Sequence, residues 1–252
     1  MKFMSITASL AIASLSIVSA TLSGCSTDKP ASCKNTTIMS DLCCFESPGG
    51  LLVQTQFWET GPADSFTIYG LWPDRCDATI AQYCDASRAY TNINGLLLAN
   101  GASDTLAFMQ QFWLDLDGQN EQFWENEWAK SGTCMSTLQR SCFPSGSPKG
   151  IEAVTYFQSV VKLFQTLPTY TFLANEGITP DSTKTYSLSS LTSALQSQSG
   201  FIPALDCTSN ALNGIRWYFN LKGSVIDGTF IPINAPIAGS CPSSGIKYSP
   251  KV

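Results

Sequence analysis

Phe66-Thr67-Ile68-Tyr69-Gly70-Leu71-Trp72-Pro73 and Phe123-Trp124-Glu125-Asn126-Glu127-Trp128-Ala129-Lys130-Ser131-Gly132-Thr133-Cys134 are the two stretches around which this chain organises itself. The first lies in a run, Ser65 to Trp72, whose β-branched and aromatic content predicts a strand. Its period of two puts Thr67 and Tyr69 on one face, with Phe66 and Ile68 alternating against them. The second predicts a helix over Glu121 to Ser131. Phe123, Glu127 and Lys130 then share one helical face, and Asn126 and Lys130 are neighbours one turn apart. Trp124 and Trp128 fall on an adjoining face, expected to be buried. Taken alone, Glu127 and Lys130 read as an ion pair on a helix surface, worth a few tenths of a kcal/mol.

Outward from these stretches, Leu51 to Trp58 predicts another strand, and Ile215, Trp217, Phe219 and Leu221 alternate as a third. Asp104 to Leu114 reads as a helix capped by Ser103 or Asp104, with Leu106, Met109 and Trp113 at helical spacing. Ile151 to Leu167 carries a stripe of Val154, Phe157, Val161 and Phe164 and ends at Pro168. Ser187 to Gln198 predicts one more helix, ended by Gly200. Strands and helices mix without regular βαβ alternation. That implies an α+β fold with an antiparallel sheet and packed helices. Without repeats or a long linker, residues 21–252 read as a single domain.

Composition narrows the class. With 44% hydrophobic and 13% charged residues the chain is too apolar for disorder. A net charge of −5 argues against a polybasic nucleic-acid clamp, so any RNA contact is short and local. Residues 1–20 read as a secretory signal peptide: Lys2, an apolar run from Phe3 to Val18, and the small-residue site Val18-Ser19-Ala20. This implies an extracellular protein, with no second stretch long enough for a membrane helix. A competing reading takes Leu22-Ser23-Gly24-Cys25 as a lipoprotein box that acylates Cys25. Ten cysteines behind a leader imply disulfides, with the pairing left open. The absence of CxxC pairs and of histidine argues against a zinc site, and no metal or cofactor is implied. Asn35-Thr36-Thr37 is a glycosylation sequon.

The two opening stretches resemble the two conserved catalytic segments of the ribonuclease T2 family, which read FTIHGLWP and FWEHEWxKHGTC. The likeness extends to Gln54-Thr55-Gln56-Phe57-Trp58, to the adjacent Cys43-Cys44, and to cysteine placement from Cys25 to Cys241. It implies five bridges: Cys25 with Cys44, Cys33 with Cys76, Cys43 with Cys142, Cys84 with Cys134, and Cys207 with Cys241. In the family, transfer of the phosphate to the 2′-oxygen of RNA uses one histidine from each segment as acid and base. Another histidine, with Glu and Lys, stabilises the phosphate. Here Tyr69, Asn126 and Ser131 stand at the three histidine positions, while Glu127 and Lys130 remain. The chain contains no histidine at all.

An ordinary tyrosine titrates near about 10 and serine far higher, so neither trades protons at mild pH. The resemblance therefore implies an inactive or severely impaired homologue. Trp72, Asp74 and Phe123 match base-contacting positions, although Trp72 also suits plain core packing. Ile80 stands where family members often carry an aromatic. Tyr69 suits stacking on a base, donating to a phosphate, or plugging the cleft, and Gly132 and Thr133 read as structural. Single-stranded RNA, nucleotides or a protein partner are the expected ligands of a monomer. Two alternatives stand beside this reading. One is a weakly active endoribonuclease using Glu127 and Lys130. The other is a secreted effector or storage protein acting through its surface.

Overall fold

A computed structural model describes Cys25, residues 30–34 and residues 39–251. The expected leader and the Asn35 sequon lie outside the described residues. The elements in order are β1 (Leu51–Phe57), β2 (Thr67–Asp74), α1 (Ile93–Ala99), α2 (Ser103–Phe112), α3 (Asn120–Lys130), α4 (Ile151–Gln165), α5 (Thr169–Asn175), β3 (Thr185–Tyr186), α6 (Leu188–Ser199), β4 (Ala204–Thr208), β5 (Ala211–Lys222), β6 (Thr229–Ile233) and β7 (Ile246–Lys247).

The strands form one sheet along the path β2-β1-β5-β7-β3, with β4 and β6 also pairing β5. Its ladders are antiparallel except for the single parallel pairing of Ala211 with Lys247. One face is covered by the helices. Leu52, Ile215, Trp217, Phe219 and Leu221 meet Tyr156, Phe157, Val160 and Trp128 there. The stripe predicted on α4 is buried as expected. The α2 helix differs at both ends. It stops at Phe112 rather than Leu114, and Ala102 precedes it without a side-chain cap, so neither Ser103 nor Asp104 caps it.

The decisive detail of the sheet is a β-bulge. Thr55 pairs with Gly70, but Gln56 pairs with Ile68, so Tyr69 is an extra residue on β2. A bulge leaves one residue unpaired and shifts the alternation of side chains. Phe66, Ile68 and Leu71 all enter the helix-covered core. Tyr69, Gly70 and Trp72 are thereby gathered on the opposite face, where Trp72 joins a small cluster with Val53 and Tyr218. Strict alternation would have sent Trp72 inward with Ile68.

All five disulfides are present: Cys25–Cys44, Cys33–Cys76, Cys43–Cys142, Cys84–Cys134 and Cys207–Cys241. The bridge at Cys25 runs against acylation of that residue, because its sulfur is already bonded. Each bridge is worth about 2–4 kcal/mol, mainly by restricting the unfolded chain. A buried polar knot assists them. The carboxylate of Glu46 accepts from the backbone N–H and hydroxyl of Ser136 (2.7 and 3.1 Å) and from those of Thr137 (3.2 and 2.8 Å). Burial pushes this carboxyl up to about 7 while the four donors pull the other way. Replacing Glu46 by Ala strands three donors in the interior, the Ser136 hydroxyl alone keeping the Phe45 carbonyl within reach, so Glu46→Ala is expected to lower unfolding stability by about 3 kcal/mol. Chemical denaturation at pH 6 measures this, and a loss under about 1 kcal/mol would contradict the account.

Candidate functional site

Two elements build the site. β2 contributes Tyr69, Trp72 and Asp74, and α3 contributes Phe123, Asn126, Glu127 and Lys130, with Ser131 as its C-cap. The α3 helix is fixed from behind by its tryptophans. Trp124 Nε1 donates to the carbonyl of Trp113, and Trp128 Nε1 to that of Arg88. Lys130 in the last turn suits the negative end of the helix.

Glu127 is fully buried, which overturns the reading of a surface ion pair with Lys130. Its Oε2 accepts from Trp72 Nε1 at 2.9 Å. Its Oε1 is buried with no hydrogen-bond partner among the described residues. Desolvation pushes the carboxyl up to about 7, against the pull of Trp72 and then Lys130. Gly70 makes this placement possible, since a Cβ there would come within 2.1 Å of Glu127 Oε2. Lys130 Nζ lies over the Trp72 ring, 5.4 Å from its centroid, a cation–π contact at the mouth.

Tyr69 stands in an aromatic nest. Its ring centroid is 4.2 Å from that of Phe57, 5.1 Å from Trp72 and 5.5 Å from Phe123. Burial, then the charge of Glu127 and Tyr83, pushes its phenol above the ordinary value. Ser131 is buried beneath the helix end, and Asn126 is exposed, its Oδ1 accepting from the hydroxyl of Tyr83 at 2.9 Å. Asp74 is buried, and its Oδ1 has no partner among the described residues. Desolvation pushes it up to about 6, opposed by Arg216 and then Lys130. Ile80 is exposed on the following loop. Gly132 packs edge-on to Trp128, where a Cβ would sit 2.2 Å from the ring, and Thr133 bonds back to the carbonyl of Ala129.

Asp74 is tied to the site only by its charge coupling to Lys130, and Ser131 only by its place at the end of α3; Tyr69, Trp72, Phe123, Glu127 and Lys130 form one contacting group. A cavity of about 370 Å³ opens beside it, lined by Tyr69, Phe123 and Asn126 together with Phe57, Gln119 and Gln122. The sequence reading did not single out these last three as site residues. The two glutamines were findable, because Gln119 lies one turn from Phe123 and Gln122 one turn from Asn126. Tyr83 was not, since nothing local signals its bond to a residue 43 positions away. The set offers stacking rings, one cation and two strained carboxyls. Among the described residues no three His, Cys, Asp or Glu side chains cluster as a metal site would need.

Residues 27–228 match the family model described as the Ribonuclease T2 family. The chain is 59% identical over 235 residues to Ribonuclease Le2 of Lentinula edodes, spanning 91% of this chain and 98% of that one. It is 47% identical over 232 residues to Ribonuclease T2 of Aspergillus oryzae, covering 90% of this chain and 84% of that protein. Among solved structures, the crystal structure of Actibind, a T2 ribonuclease described as an antitumorigenic agent, superposes with a TM-score of 0.87. Its identity is 45%, and the match covers 92% of this chain and 99% of Actibind. The family model, the identities over nearly the whole of both chains and the close superposition agree, and this chain belongs to the ribonuclease T2 family.

Proposed function

We propose that this chain is a secreted ribonuclease T2 family protein, mature from residue 21 as one domain, whose cleft binds single-stranded RNA or nucleotides without cutting them. The single observation behind this reading is the absence of imidazole from the entire chain. Tyr69, Asn126 and Ser131 occupy the positions at which the family pattern has histidine. Tyr69 has its phenol pushed further from neutrality, and Ser131 is buried, so neither supplies proton transfer at mild pH. One positioned acid or base is worth about 10²–10⁴ in rate. Losing both is not simply additive, but little transfer survives. The binding parts persist: Trp72 and Phe123 for a base, Asp74 for its polar edge, and Lys130 for a phosphate. Secretion rests on the leader-like residues 1–20 and on five bridges that suit an oxidising compartment.

The test is a cleavage assay with a matched titration. Single-stranded RNA incubated with the purified protein is expected to be cut at least about 10⁴-fold more slowly than by a histidine-bearing relative. Parity within about tenfold would refute the proposal. A 5′-mononucleotide should quench tryptophan fluorescence, and Phe123→Ala should weaken that binding about fivefold or more through loss of stacking. Absence of nucleotide binding at millimolar concentration would instead favour a protein that acts through its surface.

One observation favours residual cleavage as a second reading. The Glu127 carboxyl, pushed up to about 7, is poised to exchange a proton near neutrality. Glu127→Gln should then abolish whatever cutting is measured. The same shift has a stability consequence whose sign is definite. The folded pKa lies above the unfolded one, so the native state holds the extra proton and stability falls as pH rises from about 4.5 to about 7. Glu127→Gln removes that slope. Relative to the unsubstituted protein, the variant is expected to gain up to about 3 kcal/mol between pH 4.5 and pH 7. Denaturant melts across this range read the difference, and parallel pH profiles would contradict it.

A further inference from the structure

Three of the four arginines of this acidic chain, Arg75, Arg88 and Arg140, line one cavity of about 730 Å³. That is within the size range of small-molecule sites. It shares no lining residue with the cavity beside Tyr69. The loop after β2 divides the two. Tyr83 bonds Asn126 on the cleft side, while Ala81 and Cys84 line the basin.

The charges in the basin do not cancel. Arg88 is nine-tenths buried, and its Nε donates to Asp85 at 2.8 Å. Its terminal nitrogens donate to the carbonyls of Leu138 (3.0 Å) and Thr133 (2.6 Å). Each terminal nitrogen carries two N–H groups, so one on each is not used by these bonds. Arg140 pairs with the fully buried Glu152 at 3.2 Å. Asp85 and Glu152 are the only acids of the lining, and each is matched by one arginine. Arg75 is left over. It is exposed, and its guanidinium donates to the Thr79 hydroxyl and the Ile80 carbonyl. Lys149, over the Tyr90 ring at 5.6 Å, adds a second positive charge at the rim. A net-positive basin on a chain of net charge −5 attracts an anion, and guanidinium forks favour the planar, multidentate geometry of a phosphate.

We infer that this basin is a second, phosphate-binding site, independent of the cleft, that takes the phosphate of a nucleotide or of an RNA strand. Arg88 and Arg140 also hold main-chain carbonyls, so they serve the fold as well. Arg75 has no such buried duty, and it is the residue that separates a binding role from a structural one.

The experiment is calorimetric titration of the whole protein at about 0.1 M ionic strength, where the screening length is about 10 Å, with inorganic phosphate, 5′-AMP and a short single-stranded oligonucleotide in separate arms. Inorganic phosphate is expected to bind, and Arg75→Glu to weaken it about tenfold or more by reversing the exposed charge. Thermal unfolding of Arg75→Glu should match the parent, because the side chain is exposed. Lys130→Ala reports on the cleft and should change phosphate affinity less than about twofold, since surface charges outside the basin are screened. Binding confined to the 5′-AMP or oligonucleotide arm, and still lost in Arg75→Glu, supports the site and names its source. Two results overturn it: no binding in any arm at about 10 mM ligand, roughly the limit of a weak specific site, or binding that vanishes in Lys130→Ala while surviving Arg75→Glu. In the second case the anion sits in the cleft, and the nucleotide-binding reading stands without the basin.

Discussion

The hydrogen bond from Trp72 Nε1 to Glu127 Oε2 joins the sheet to the helix that faces it, and the cleft is arranged around that contact. It exists because Gly70 carries no side chain, so the carboxylate can lie against β2. It is aimed correctly because the bulge at Tyr69 turns Trp72 to the cleft face while Ile68 and Leu71 stay in the core. The contact is costly. A carboxylate is taken out of water with one oxygen paired and the other unpaired, and its pKa rises accordingly. A fold does not need such a group. Local violations of this kind are expected where a structure is shaped for function.

That geometry stands in a chain with no imidazole. The scaffold elements are intact: the tryptophans that seat α3, the bridge from Cys84 to Cys134, and the bond from Tyr83 N–H to the Lys130 carbonyl, which pins the loop beside the cleft. Packing and bridges hold Glu127, Lys130 and Trp72 in place whether or not a proton donor stands beside them. Tyr69 fills its position by apolar contact with Phe57, Trp72 and Phe123. A ring in that nest is a better stacking surface than an acid.

Long, strongly patterned segments were legible from the residues alone. The strand at Leu51, the helix at Ile151 ending before Pro168, and the alternation from Ile215 to Leu221 carry enough apolar periodicity to declare their form. Short elements were not. The α1 helix has a glycine inside it, α5 spans only seven residues, and β3 and β7 are two residues each. Their local propensity is too weak to outweigh coil, and tertiary contacts decide them. The caps at Ser103 or Asp104 failed for a related reason. A capping residue type is only a tendency, and the chain entered α2 through Ala102.

By itself the sequence determined the residue types of the cleft, the missing imidazole and the even number of cysteines, because these are properties of composition and order. It also carried the family resemblance, through two aromatic stretches too long to recur by chance. The tertiary structure alone decided the bulge that sends Trp72 outward, the burial of Glu127, the reach of Tyr83 to Asn126 and the gathering of three arginines around one basin. Those depend on which distant segments pack together and how much water they exclude. Neither quantity is encoded in the spacing of neighbours along the chain.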